Sequence, residues 1–305
     1  MSSADANQAS SLPVATLRAL AEAAARLGGD VARRSFGQRQ KVTLKRDRSE
    51  VTETDLAAER AIIAHIRAAR PSDRFIGEEA TDRGDGGKEA GGPPAGGDAS
   101  GVERHPESAG PDSGTLWWII DPIDGTRNYV RQIPIFACSV AAVRDGSPLA
   151  GAIYDPVQDA MYSAGLREGA FVNGQRVALA QAGAARGSAP PSKLLVGIPS
   201  ARRPSTRRFA LHAVERHVIR NLGSAALHLA MLANGQLDVV VVGNCKLWDI
   251  AAGCLIVTEA GCIVTSPDGK PLFPLDVARY AGEEIAVLAG NPSAYARFRE
   301  SVAEA

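Results

Sequence analysis

Apolar runs alternate with short polar breaks along most of this chain, and the period of each run separates helices from strands. Leu17–Val31 is rich in alanine and leucine with apolar positions at helical spacing, which predicts a helix. Val42–Glu50 is polar and basic and predicts a loop or ragged hairpin. A second helix is predicted over Leu56–Ala69, with Thr52 or Thr54 placed to cap it and Pro71 after its end. Arg74–Gly77 predicts a short strand. Leu116–Ile120, Pro134–Val143, Leu149–Tyr154 and Ala160–Ala164 predict four more strands. Gly169–Val172 and Gln175–Leu179 flank an Asn-Gly turn and predict a hairpin, completing an antiparallel meander. Further on, strands are predicted at Leu194–Gly197, Val218–Asn221, Leu237–Val242, Cys262–Thr265 and Ile285–Ala289. Between and after them come helices reaching about His217, then over Ala225–Asn234, Ala251–Ala260 and Ala294–Val302. Ala251–Ala260 is apolar nearly all round, as for a helix packed on several sides, and Gly261 is its expected left-handed stop.

The most informative break follows Leu116–Ile120, where the run turns into Asp121-Pro122-Ile123-Asp124-Gly125-Thr126. Pro122 has no backbone donor, so the strand is expected to stop there. Asp124-Gly125 signals a turn, and Thr126 is placed to cap a short helix. Two carboxylates three residues apart would then stand beside free N–H groups at a helix start. Hard divalent cations take such oxygen ligands, and helix N-termini take phosphate. A tight turn with two solvated aspartates is the plainer alternative, and it loses ground because other carboxylates stand at element ends. Asp55 lies in the first turn of its helix, where the dipole alone would favour it. Glu78 and Glu79 follow a strand, either solvated or with one facing inward. Asp249 precedes an apolar helix, either as a simple cap or as a ligand aimed into a carboxylate cluster. Gly223-Ser224 opens another helix.

Composition narrows the classes. The 305 residues carry 34 basic and 34 acidic side chains, so no net field recruits nucleic acid or an anionic membrane. No apolar run is long enough to span a bilayer. The first dozen residues lack the features of a secretory signal and read as a disordered tail. The four cysteines, Cys138, Cys245, Cys254 and Cys262, show no metal-ligand spacing and read as small buried hydrophobes in a reduced, cytoplasmic protein. Residues 81–114 contain almost no large apolar side chain and read as a flexible glycine-rich insertion, with His105 solvated inside it. Residues 181–193 read as a connection between an N-terminal unit, 13–182, and a C-terminal unit, 183–305. Arg202, Arg203, Arg207 and Arg208 form a basic cluster, either a solvated face or the border of an anionic substrate site.

The segments Gly77-Glu78-Glu79, Trp118–Thr126 (W-I-I-D-P-I-D-G-T) and Trp248–Gly253 (W-D-I-A-A-G) together resemble the three motifs of the inositol monophosphatase family. The resemblance extends over nearly the whole chain after about residue 13. It implies a layered α-β-α-β-α fold of the α+β class. It also implies a magnesium-dependent, lithium-sensitive phosphatase using two or three Mg²⁺ ions, with Mn²⁺ as a substitute. Carried over position by position, Glu78, Asp121 and the carbonyl of Ile123 would bind a first metal, and Asp121, Asp124 and Asp249 a second. Glu78 would also help hold a third ion. Thr126, hydrogen-bonded to Asp55, would orient the attacking water. The N–H groups of Gly125 and Thr126 would cradle the phosphate, with Asp124, Gly223, Ser224, Lys246 and Asp249 around the substrate. The implied reaction is direct attack of water on phosphorus in a small phosphorylated metabolite, and the implied assembly is a homodimer.

Two positions depart from the inositol-selective pattern. Family members that prefer inositol phosphate carry a glutamate seven residues before the W-D aspartate, and this chain has Val242 there. Lys246 precedes Leu247 where relatives often have histidine or proline, and near the pocket it would favour a second anionic group. Gly125–Arg131 looks more like the histidinol-phosphatase branch. The substrate therefore stays open between histidinol phosphate, a bisphosphate (fructose 1,6-bisphosphate or adenosine 3′,5′-bisphosphate) and a promiscuous range. A non-catalytic metal- or phosphate-binding protein that kept the fold is the alternative of another class.

Overall fold

In the computed structural model, strand β4 is Leu116–Asp124, and all nine of its residues are buried. The structure describes residues 12–38, 41–44, 50–79, 114–177, 193–198, 200, 204 and 206–304. Most of the expected tail, the insertion with His105, the 181–193 connection, and Arg202 and Arg203 lie outside the described residues. Along β4, Trp117 and Ile119 enter one apolar cluster while Trp118 and Ile120 enter another. The strand is thus covered on both faces, which is why it reads as an unbroken apolar run rather than an alternating one.

Seven strands form the larger sheet. Arg74–Gly77 (β3) pairs parallel with β4, and the rest descend antiparallel in chain order: Ala137–Arg144 (β5), Ser147–Asp155 (β6), Ala160–Gly165 (β7), Gly169–Val172 (β8) and Gln175–Arg176 (β9). Before it, Val42–Leu44 (β1) and Glu50–Thr52 (β2) make a small antiparallel pair, the ragged hairpin expected from sequence. A five-stranded mixed sheet follows in the order β11-β10-β12-β14-β13, from Leu195–Gly197 (β10), Val218–Arg220 (β11), Val239–Cys245 (β12), Ile263–Thr265 (β13) and Ile285–Gly290 (β14).

Helices alternate with these sheets. Val14–Ser35 (α1) and Glu53–Ala69 (α2) cover one face of the larger sheet. Ala225–Ala233 (α5) and Leu247–Glu259 (α6) lie between the sheets and share the largest apolar cluster. Arg207–Arg216 (α4) and Pro292–Ala303 (α7) cover the far face of the smaller sheet, burying Phe209 and Phe298. The order of layers is α-β-α-β-α, as the resemblance implied. The apolar circumference of α6 follows from its sheet on each side. Gly151 of β6 leaves room for the helix, since a Cβ there would lie 2.9 Å from Ala252 Cα. No described helix is long and apolar enough to cross a membrane. All four cysteines are free and buried.

Candidate active site

The chain does not leave the sheet at Pro122, contrary to the sequence expectation. β4 continues to Asp124. Its pairing with β5 slips instead: Asp121 is opposite Ser139, and the next registered pair is Asp124 with Ala137. Three steps on β4 match two on β5, a bulge placed where Pro122 has no N–H to offer the ladder. The Asp121 carboxylate accepts the Ile123 N–H at 3.0 Å, closing the bulge from inside. Gly125 then takes φ 104°, a left-handed conformation, and is itself the N-cap of Thr126–Val130 (α3). Thr126 is therefore the first helical residue, not the cap. Behind α3, Tyr129 donates to the Ala32 carbonyl at 2.8 Å and packs edge-on against Phe136, anchoring the turn to α1.

Asp121, Asp124 and Asp249 converge. One carboxylate oxygen from each lies within 4.8 Å of the others. Asp249 sits in the first turn of α6, and its carboxylate accepts the Lys246 N–H at 2.7 Å. The cap position is Lys246, so Asp249 is not the simple cap considered from sequence. Asp124 reaches across to α5: its Oδ2 accepts the Ser224 hydroxyl at 2.5 Å and the Ala226 N–H at 2.7 Å. Ser224 in turn caps α5 by accepting the Leu227 N–H. Burial, reinforced by the charges of Glu78, Asp124 and Asp249, pushes the Asp121 carboxyl well above the usual carboxylate range. Asp249 is raised likewise, by burial and then by Asp124 and Glu78. Asp124 rises to about 6 through burial, held back by the donors from Ser224 and α5.

Three crowded carboxylates with raised proton affinities form a donor set that wants a cation. All-oxygen ligation suits hard divalent ions such as Mg²⁺. Among the described residues no other cluster of this kind occurs. Glu78 is outside the tight trio but lines the same cleft, a cavity of about 260 Å³ that also takes in Gly125, Thr126, Gly223, Ser224 and Val242. It is presented by a turn built on Glu59. That side chain is buried beneath Gly77, and its Oε2 accepts the Glu79 N–H at 3.0 Å. A Cβ on Gly77 would lie 1.9 Å from Glu59 Oε1, so the glycine is required for space.

Two expected placements differ. The Thr126 hydroxyl donates to the Ile123 carbonyl at 3.1 Å rather than to Asp55. Asp55 is fully buried, its Oδ2 accepting the Thr52 N–H at 2.8 Å and the Thr52 hydroxyl in a reciprocal capping box. Lys246 does not line the cleft; its ammonium donates to the Gly282 carbonyl at 2.5 Å, and its backbone turn points the long side chain that way.

Three neighbours escaped sequence reading. Asn128 donates to the carbonyls of Ile135 at 2.8 Å and Leu222 at 2.7 Å, clasping the loop before α5. His228 of α5 lines the cleft and accepts the Leu222 N–H at Nε2, 3.2 Å away. Burial pushes that imidazole down to about 4, so it stays neutral near pH 7. Glu50 of β2 also faces the cleft. No local pattern marks these residues, because each acts across a fold contact.

Known proteins resemble this chain in sequence and fold. The model of the inositol monophosphatase family matches residues 14–304. An inositol-1-monophosphatase from Mesorhizobium japonicum is 34% identical over 277 residues, covering 89% of this chain and 92% of its own. Inositol monophosphatase 1 from Bos taurus is 32% identical over 250 residues, 80% of each chain. Among solved structures, an IMPase from Thermotoga maritima superposes with a TM-score of 0.70 at 28% identity, covering 93% of this chain and 95% of that one. With its three motifs lining one cleft and the match running almost end to end, the chain belongs to the inositol monophosphatase family, a family of phosphoric monoester hydrolases.

Proposed function

We propose that this chain is a magnesium-dependent phosphomonoesterase that hydrolyses a small phosphorylated metabolite by direct attack of water on phosphorus. The convergence of Asp121, Asp124 and Asp249 carries the reading, because three carboxylates this close, two of them buried, call for cations. Asp121, Glu78 and the Ile123 carbonyl would hold one ion, and Asp121, Asp124 and Asp249 a second. When bound there, divalent ions neutralise charge on the transferring phosphoryl group and acidify water.

The chain's own residues supply position. Asp124 is fixed by Ser224 and the α5 amides, so its free oxygen is aimed before any ligand arrives. Gly125 and Thr126 form the cleft wall on which the phosphate would rest. The new P–O bond forms to the water oxygen, the ester P–O bond breaks, and the leaving alkoxide takes up a proton. With its hydroxyl donating to the Ile123 carbonyl, Thr126 is assigned to the phosphate wall, and Asp55 to support of that wall from the start of helix α2. The homodimer implied by the family resemblance and the cytoplasmic setting read from the cysteines belong to this proposal, and light scattering at low protein concentration checks the first.

The experiment is Mg²⁺-dependent phosphate release from inositol 1-phosphate, histidinol phosphate, fructose 1,6-bisphosphate and adenosine 3′,5′-bisphosphate, with Asp121→Asn as control. Release abolished in the control supports the reading. Release that ignores both Mg²⁺ and the substitution defeats it. The absence of any release, with no rise in melting temperature on adding Mg²⁺ and phosphate, favours a non-catalytic relative.

A further inference from the structure

Glu50 opens β2, paired across the small hairpin with Leu44, and β2 rests against α3. Its side chain lines the same cleft as Glu78, Asp124 and Asp249. One of its carboxylate oxygens, Oε2, is buried and has no hydrogen-bond partner. A buried carboxylate oxygen without a donor is expensive, and it calls for a water, an ion or a ligand group to complete it. Glu50 stands outside the Asp121–Asp124–Asp249 trio, so it is not one more arm of that cluster.

The charge around the cleft narrows what the missing donor is. Arg127 is the only cation among the described residues that line it, and that side chain is exposed at the rim. His228 faces the cleft in its neutral form, with Nε2 already taken by the Leu222 N–H. Lys246, expected from sequence to bring positive charge, is turned away to Gly282. Val242 contributes an apolar wall. A second anionic group on the substrate would meet Glu50 as a like charge. A neutral polyol would gain one hydrogen bond but no charge complement. With the other cleft carboxylates assigned to metal ions, Glu50 is the acid left over, and a cationic N–H group both completes its orphan oxygen and complements its charge.

We propose that Glu50 is a specificity-determining residue whose carboxylate takes a cationic N–H group on the alcohol part of the substrate, so that the preferred substrate is a phosphate monoester carrying a protonated amine or comparable nitrogen cation. This rests on the phosphatase reading and names the substrate class within it.

The test compares kcat/KM of the full-length protein for histidinol phosphate, inositol 1-phosphate and fructose 1,6-bisphosphate, before and after Glu50→Gln. The amide keeps the shape and removes the charge. The amine-bearing ester is preferred by the parent protein, and its kcat/KM relative to inositol 1-phosphate falls on the order of 10- to 100-fold in the variant, the range for losing one hydrogen bond to a charged group. The fall appears mainly in KM, and Glu50→Asp recovers part of it. A ratio that does not move overturns the proposal, as does a fall shared equally by all three esters. A parallel shift in the Mg²⁺ concentration for half-activity also overturns it, since Glu50 would then be serving the metals. Should the parent protein release no phosphate from any ester, the phosphatase reading itself fails; a parent active on all three with a discrimination that ignores Glu50 strikes this inference alone.

Discussion

Asp124 and Ser224, one hundred residues apart, share a hydrogen bond of 2.5 Å that joins the end of β4 to the start of α5. The same Asp124 oxygen takes the Ala226 N–H, so a candidate metal ligand doubles as the anion at a helix N-terminus. Ser224→Ala removes the hydroxyl from Asp124 and the cap from α5. The expected cost is about 1–2 kcal/mol of stability, together with weaker Mg²⁺ dependence of activity because Asp124 loses its brace. Urea unfolding with and without Mg²⁺ checks both; a variant as stable as the parent in metal-free buffer would show the cap to be idle.

The carboxylate trio makes stability depend on pH in an unusual direction. Asp121, Asp124 and Asp249 all bind protons more tightly folded than unfolded, Asp124 up to about 6. Between the ordinary aspartate value and those raised values the native state holds more protons than the unfolded chain. Stability contributed by these groups is therefore present at low pH and lost as pH rises through their raised folded-state values, about 6 for Asp124. Metal-free protein is expected to lose stability from this source on going from mildly acid to neutral buffer. Added Mg²⁺ is expected to raise the melting temperature more at neutral than at acid pH. Melting curves across that range, repeated for Asp124→Asn, decide it; a Mg²⁺ effect that is flat with pH would contradict the coupling.

Asn128 secures the loop before α5 with two donated hydrogen bonds, to Ile135 and Leu222. Asn128→Ala leaves two partly buried carbonyls without their donor, costing roughly 1–3 kcal/mol. Because Gly223 and Ser224 line the cleft next to Leu222, KM is expected to rise more than kcat falls. Equal losses in both, or none in either, would mean that the clasp does not position substrate.

Lys246 offers a contrast. With its ammonium held by the Gly282 carbonyl, Lys246→Met is expected to leave the preference between a bisphosphate and a monophosphate unchanged. A steady-state comparison of fructose 1,6-bisphosphate with inositol 1-phosphate settles whether the side chain swings back to the cleft.

Much of this molecule is visible in its residues alone. The apolar run of Leu116–Ile120 and the all-round apolar face of Ala251–Ala260 predict buried elements, and both are buried for the stated reason. Asp124 and Asp249 stand near element ends and Asp121 beside the proline break, where a local reading finds them. The errors arise where one local rule meets another. Pro122 suggests a stop, yet the strand passes through it by slipping register, since a bulge needs no donor there. Thr126 and Asp55 each satisfy a nearer partner, Ile123 and Thr52. Asn128, His228 and Glu50 carry no local signal, because their partners or their cleft neighbours come from distant segments of the chain.

The Gly77–Glu59 contact reaches beyond this one protein. The buried carboxylate fills the space a side chain at 77 would need, and it also holds the turn that presents Glu78. Neither residue can then drift alone. A descendant with alanine at 77 needs the Glu59 carboxylate to shift or shorten, and one that shortens 59 loses the support for its acidic turn. The two positions should be inherited as one character, changing together or not at all, and an aligned set of relatives would record that pairing as covariation.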